Sequence, residues 1–345
     1  IPPAFLARGV VLRRVAWGVA GLLALLAMLI AVALWTATTA SGFRWLAESA
    51  TGMSRGRLVL EGVDGHLGAP IAIRKLVLTT DTQRVTLNRV RLEWRPRALL
   101  QRRLDIDLLA AQSVRVEILK KAPTPPPLPA TLRLPVDVRV AVWDVAQLDV
   151  VDAGRTLGFN ALRGRLDDDG DRYRLAATAT TPWAEANGQF GIAKDAPFKL
   201  QGRLTAGRND PMPLAATIDL SGRLAAIAFR FDAQAEDMAF LAAGEAAPFA
   251  RVRVPRLLVA GQGIDPRRFV PDAPSADLAF SGVFEGQPGE RLLGAFSLAN
   301  RQAGRLDQQR LPLANLTGAV HGDFAQADFS ALAIDLGTAG QFTGD

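Results

Sequence analysis

A chain of 345 residues without a single cysteine has neither disulfides nor thiolate chemistry, so it must hold itself together by packing and backbone pairing alone. Forty basic and 34 acidic side chains give a formal charge of +6, but the two signs alternate along most segments, which reads as a solvated polar face and not as the one-sided basic surface of a nucleic-acid binder. Hydrophobic residues make up 49% of the chain and aromatic ones 7%, so its apolar surfaces are built from Ala, Leu and Val.

Residues 1–14 carry Arg8, Arg13 and Arg14 and precede an apolar run at residues 15–35 that no charged side chain interrupts. At about 1.5 Å of rise per residue the run covers the roughly 30 Å hydrocarbon thickness of a bilayer, about twice the apolar length of a secretory signal, which predicts a retained transmembrane signal anchor. The arginines ahead of it place residues 1–14 in the cytoplasm and export everything that follows. Thr38, Thr39 and Ala40 are small enough for a signal-peptidase site, so a cleaved signal is the alternative. Residues 41–52 space Phe43, Leu46, Ala47 and Ala50 helically between Ser41 as cap and Gly52 as stop, which predicts one short amphipathic helix.

From residue 57 onward the period changes to two. Apolar side chains recur at i, i+2, i+5 and i+7, starting from Ile71, Val85 and Val252, and from Leu157 and Leu311 with glycine in the last position, a spacing that keeps them on one face only if a strand carries one extra residue. The extra residues are expected at Arg74–Lys75, Asn88–Arg89 and Pro255–Arg256. A proline-rich loop at 122–129 interrupts the pattern because proline has no N–H to donate to a ladder; strands resume at Leu132, and residues 237–247 are ambiguous between helix and strand. About one strand per 12 to 14 residues makes on the order of 20 strands, which leaves a barrel, stacked sandwiches or a long sheet curled into a trough. The chain begins at Ile1 and keeps the alternating texture to its last residues, so a longer protein is expected.

No phosphate-binding Gly-Lys-Ser/Thr loop, GxSxG elbow or HExxH motif is present; no catalytic, cofactor-binding or metal-binding residue and no enzymatic activity are expected. The aspartates at 167–169 and 171 around Gly170 lack the downstream Glu of a calcium loop and read as a hairpin turn. His66 and His321 each sit beside glycine, as surface or structural residues. Arg95, Arg97, Arg102 and Arg103 fall in one loop, which is either simply solvated or in reach of lipid phosphates.

The anchor, the Ser41–Gly42 start of the next segment, EGVDGHL at 61–67, LEWRPRALL at 92–100 and ANRQAGRLDQQRLPL at 299–313 together resemble the N-terminal part of the TamB family, the inner-membrane component of the translocation and assembly module, and more distantly the AsmA-like proteins. The resemblance implies a mainly β chain in which one transmembrane helix is followed, over 57–345, by a long curled antiparallel sheet forming an elongated trough with an apolar interior. It further implies a Gram-negative inner-membrane protein, single-pass with its bulk in the periplasm, connected with phospholipid movement to the outer membrane and with outer-membrane biogenesis. The family's partner TamA, an outer-membrane Omp85-type protein, is met through a C-terminal region that the resemblance does not cover here. The residues expected to line a lipid path are Leu58, Leu60, Ile71, Ile73, Leu76, Leu78, Val85, Leu87, Val90, Leu92, Val252, Val254, Leu257, Val259, Leu311, Leu313 and Leu316. The rival expectation is a scaffold whose free strand edges receive outer-membrane protein strands by β-augmentation, and a third is an ordinary filled β core.

Overall fold

The computed structural model describes residues 56–119, 127–152, 155–181, 184–209, 213–268, 272–288, 291–322 and 326–344, together with positions 41, 48, 49, 51, 52, 54, 125 and 270. The apolar run at 15–35 and most of the proline-rich loop lie outside the described residues, among which no helix is long and apolar enough to cross a membrane. Of the segment expected to be helical, the described positions 41, 48, 49, 51 and 52 are helical.

From residue 58 the chain is a run of strands: β1 (Leu58–Asp64), β2 (Ile71–Thr79), β3 (Gln83–Trp94), β4 (Arg103–Ile118), β5 (Asp137–Asp152), β6 (Arg155–Asp168), β7 (Arg172–Thr180), β8 (Glu185–Ala193) and β9 (Lys199–Arg208). It continues through β10 (Leu214–Arg223), β11 (Ala226–Ala235), β12 (Met238–Ala246), β13 (Arg256–Ile264), β14 (Leu278–Gln287), β15 (Arg291–Asn300), β16 (Asn315–Gly322), β17 (Ala327–Asp335) and β18 (Gln341–Gly344). All 18 belong to one sheet, in which each strand pairs with the one before and the one after it in sequence. The result is one long, curled, open sheet, about 80 Å along its hydrogen-bonding direction at ~4.8 Å per strand. The ambiguous stretch near residue 240 is β12.

The pairing is antiparallel throughout except for β4 and β5, which are parallel where a wholly antiparallel sheet was expected. The proline-rich connection is the reason: it carries the chain from the end of β4 back to the start of β5. Its described part does not resume the ladder at Leu132. Instead it docks beside the β6–β7 and β8–β9 turns. The Leu132 N–H donates to the Lys194 carbonyl at 2.9 Å, the Tyr173 hydroxyl donates to the Leu132 carbonyl at 2.9 Å, and the Arg133 guanidinium donates to Asp195 and to the Gly170 carbonyl. Beneath it Lys194 is buried between the Asp168 carboxylate and the Tyr173 ring, its Nζ 4.8 Å from the ring centroid. The aspartate-rich segment is the hairpin turn expected of it, with Asp168 Oδ1 accepting from the Gly170 N–H at 3.0 Å.

The extra residues are where the odd spacing put them in the first strands. Between β2 and β3 the ladder joins Ile73 to Val90 and Lys75 to Asn88 but passes over Arg74 and Arg89, and Arg89 turns left-handed at φ 49. In β1 the ladder likewise passes over Gly62, at φ 62; there a Cβ would stand 2.6 Å from the Arg74 guanidinium. Because both members of each pair are irregular at the same level, the strands bend together without losing register. One-sided register shifts occur at Glu93/Trp94, Val140/Trp143, Asn160/Arg163, Gly261/Ile264 and Thr317/Ala319. The slip expected at Pro255–Arg256 is not found: β13 opens at Arg256, after the proline that cannot join a ladder. Val252 and Val254 therefore sit in the connection before β13, and Leu311 and Leu313 in the one before β16.

Burial pushes the Asp168 carboxyl up, but Lys194 and the N–H groups of Gly170 and Val138 outweigh it and hold the group below its ordinary 3.8. A carboxyl held low contributes stability that is complete above the unfolded value and is lost as pH falls through the folded one. We expect Lys194→Met to cost about 3–5 kcal/mol, because it strands a buried charge, and the double variant Lys194→Met/Asp168→Asn to recover part of that loss. Urea unfolding of the full chain measures both, and a cost below about 1 kcal/mol for the single variant would show that this pair does not hold the crossover.

Candidate functional site

Partners across a β ladder point to the same side of the sheet, so following the register shows what each face presents. Starting at β2, one row reads Ile71, Leu92, Leu109, Trp143, Gly164, Ala177, Gly188 and Leu204. It goes on through Ile218, Phe231, Ala242, Val259, Gly282, Phe296 and Gly318 of β16 without one polar side chain. The next row on the same face runs from Trp94 through Ile106, Val140, Leu166, Leu175, Phe190, Gly202, Leu220 and Phe229, then Gly244, Leu257, Phe284, Gly294, Val320 and Phe329. A third runs from Ala179 of β7 to Phe342 of β18 and includes Phe240, Phe280 and Leu316.

The glycines in these rows are roofed by aromatic rings. A Cβ at Gly202 would lie 2.3 Å from the Phe190 ring, at Gly164 2.4 Å from the Trp143 ring, and at Gly282 2.6 Å from the Phe284 ring. Each large ring thus lies over a neighbouring strand instead of standing up from the sheet, and rings meet across rows, Phe231 and Phe240 at 5.6 Å and Phe296 and Phe329 at 5.9 Å between centroids. Among the described residues only ten apolar side chains are buried, Phe198 being the one large side chain wholly so. Strands pack substantially only on their ladder neighbours, so no described element lies across this face as a second layer.

The opposite face carries the charge. Arg163 meets Asp144 at 2.8 Å, Arg203 meets Asp219 at 2.6 Å and Arg230 meets Asp232 at 2.7 Å, exposed pairs that contribute little to stability singly but make the face hydrophilic. Asp219 raises the Arg203 guanidinium above its ordinary value through their hydrogen bond. A cleft of about 760 Å³ is bordered here by Arg165, Asp167, Arg174, Gln189, Arg203 and Asp219. Arg165, Arg174 and Arg203 pair there with Asp167, Asp169 and Asp219, Arg172 on the same border has no carboxylate partner among the described residues, and no nucleophile stands beside a base. No group of metal-ligating side chains is found among the described residues.

Of the residues expected on the apolar path, Leu58, Leu78 and Val85 share a row with Val116, Val150 and Leu157, and Leu60, Leu76 and Leu87 share one with Val114, Leu148 and Phe159. Ile73 and Val90 align with Val63. Ile71, Leu92 and Val259 stand in the first long row, Leu257 in the second and Leu316 in the third. Val252, Val254, Leu311 and Leu313 belong to none of them; Val252 and Val254 lie instead against Gly286, where a Cβ would be 2.7 Å from Val252 Cγ1. The middle of the path, from Leu109 and Trp143 to Phe190, Leu204 and Phe231, was not picked out. Plain alternation there is diluted by Ala and Gly, and counting glycine as apolar would have revealed it.

Gly202→Val should cost about 1–3 kcal/mol, the range for overpacking, because the Phe190 ring must vacate its place. Phe190→Leu in the same chain should recover part of that cost. Urea unfolding of the single and double variants measures the coupling, and simple additivity would show that the ring does not depend on the glycine.

Comparison with known proteins found no matching curated protein and no matching solved structure. The model of one family, described as TamB, N-terminal domain, matches residues 28–188, a span that contains the parallel crossover and β1 to β7. The likeness seen in the motifs at 61–67 and 92–100 therefore lies within a family match: residues 28–188 are similar to the N-terminal domain of TamB, which supports reading this chain as a TamB N-terminal part.

Proposed function

We propose that the apolar face lines a trough that shields phospholipid acyl chains in transit between the inner and outer membranes, a TamB-like role in outer-membrane biogenesis performed without catalysis. The observation that carries this reading is the direction of the apolar rows. They run along the hydrogen-bonding axis, the long axis of the sheet, so a chain moving by one strand, about 4.8 Å, exchanges one apolar neighbour for another. A 16-carbon acyl chain in water exposes surface costing about 0.8 kcal/mol per methylene, roughly 12 kcal/mol in all, and continuous apolar rows remove most of that cost at every step. On this reading the run at 15–35 is a single-pass inner-membrane anchor, the sheet extends into the periplasm, and the partner is an Omp85-type outer-membrane protein such as TamA. The rival scaffold function would work through the outward edges of β1 and β18.

A photo-crosslinker at Leu87 or Leu204, both on the apolar rows, should capture phospholipid in cells, and one at Arg203 on the charged face should not. Capture of polypeptide at β1 or β18 with no lipid at Leu87 and Leu204 would replace the conduit by the scaffold; equal lipid capture at Arg203 would also sink it. Ile218→Arg, which sets a charge in the first row, should lower lipid occupancy on its far side several-fold while the chain stays folded.

A further inference from the structure

We propose that the tip joining β3 to β4 is a second membrane contact, docking on a bilayer surface that carries anionic headgroups. The tip is a 3-10 turn at Pro96–Gln101, closed by Arg102 in the left-handed conformation, φ 57, whose N–H donates back to the Leu99 carbonyl at 2.9 Å. This holds Leu100 out at 89% exposure beside Leu99 at 43%. Arg97, Arg102 and Arg103 are exposed around them. None of the three has a carboxylate partner among the described residues, whereas Arg95 at the base of the same tip is taken up by Asp107 at 2.6 Å and Asp105 at 3.6 Å.

The combination differs from that at another exposed apolar tip of the sheet. Leu306 is 65% exposed, but Arg305 beside it is paired with Asp307 at 2.9 Å and Arg301 with Asp277 at 3.1 Å, which leaves Arg310 as one exposed guanidinium there without a carboxylate partner among the described residues, against three at the β3–β4 tip. An exposed leucine ringed by unmatched guanidiniums suits the headgroup layer of a bilayer. The apolar side chain enters the acyl boundary while the guanidiniums hydrogen-bond phosphates in pairs. A short 3-10 protrusion has neither the groove of a peptide site nor the stacking rings of a single-stranded nucleic-acid site. This inference does not depend on the apolar rows carrying lipid.

The absence of cysteine makes the test direct. A single Leu100→Cys in the full chain carries an environment-sensitive fluorophore, and the chain is reconstituted in vesicles of phosphatidylcholine with or without phosphatidylglycerol. The label should shift to the blue and be quenched by shallow spin-labelled lipid only when phosphatidylglycerol is present, and the shift should fade with salt. Each arginine near an anionic surface contributes about fivefold, so Arg97→Gln/Arg102→Gln/Arg103→Gln should reduce the ratio of docked to free tip by about a hundredfold. A label at Leu306→Cys should remain water-like throughout. A water-like Leu100 label in anionic vesicles, an equal shift in phosphatidylcholine alone, or a shift untouched by the triple substitution in a chain with unchanged β circular dichroism would each overturn the proposal.

Discussion

Keeping one face of a long sheet apolar is a problem of parity. Side chains alternate along a strand, so a slip of one residue sends a strand's whole apolar set to the other face. Across β1 to β18 the alternation nevertheless has to bend, because strands of up to 16 residues cannot curl smoothly without local breaks in the ladder. The chain reconciles the two demands by placing irregularities at matched levels. Gly62, Arg74 and Arg89 stand side by side in β1, β2 and β3, and Ala146 and Ala161 repeat the arrangement in β5 and β6, where Ala161 is left-handed at φ 49. Each strand thereby absorbs one residue and returns its next apolar side chain to the face it left.

That device leaves an imprint in the sequence, which is why the first part of the sheet could be read before any coordinates. The three-residue gap between Leu87 and Val90 marks Arg89, and the gap between Ile73 and Leu76 marks Arg74. The same spacing misled at Val252 and Leu311, where an apolar-rich chain matches it by coincidence. Pro255 and Pro312 sit inside those matches, and the missing N–H of a proline should have outweighed the spacing. The parallel β4–β5 pair was not legible either. A proline-rich connection can join a hairpin or a crossover, and what decides is the docking of Leu132 and Arg133 against Lys194, Asp195 and Gly170, a contact between segments some 60 residues apart.

Glycine and the aromatic residues solve a related problem. A row made only of Leu and Phe would be uneven, with rings projecting from the sheet. Setting Phe190 against Gly202, Phe284 against Gly282 and Gly294, and Trp143 against Gly164 lays the rings over the backbone and levels the surface. Phe229, Phe280 and Phe296 are used in the same way over Gly244, Gly261 and Gly318, so the Ala and Gly that dilute the hydrophobic pattern belong to the site as much as the large residues do.

An apolar face this long needs a reason to remain uncovered. Single domains rarely expose contiguous apolar patches beyond a few hundred Å², and a flat sheet with such a face would associate with its own kind. Here the strand lengths fall from 16 residues in β4 and β5 to 8–10 from β7 to β17, roughly 50 Å to 30 Å of width. In β1 to β6 the paired irregularities bend neighbouring strands together, and the shorter strands from β7 onward leave less width for another sheet to stack on. The charged face, with its exposed Arg–Asp pairs, keeps the outer surface in water. On the proposed reading, the same bulges and face parity that keep the apolar rows on one side favour a thin flexible occupant over a broad one.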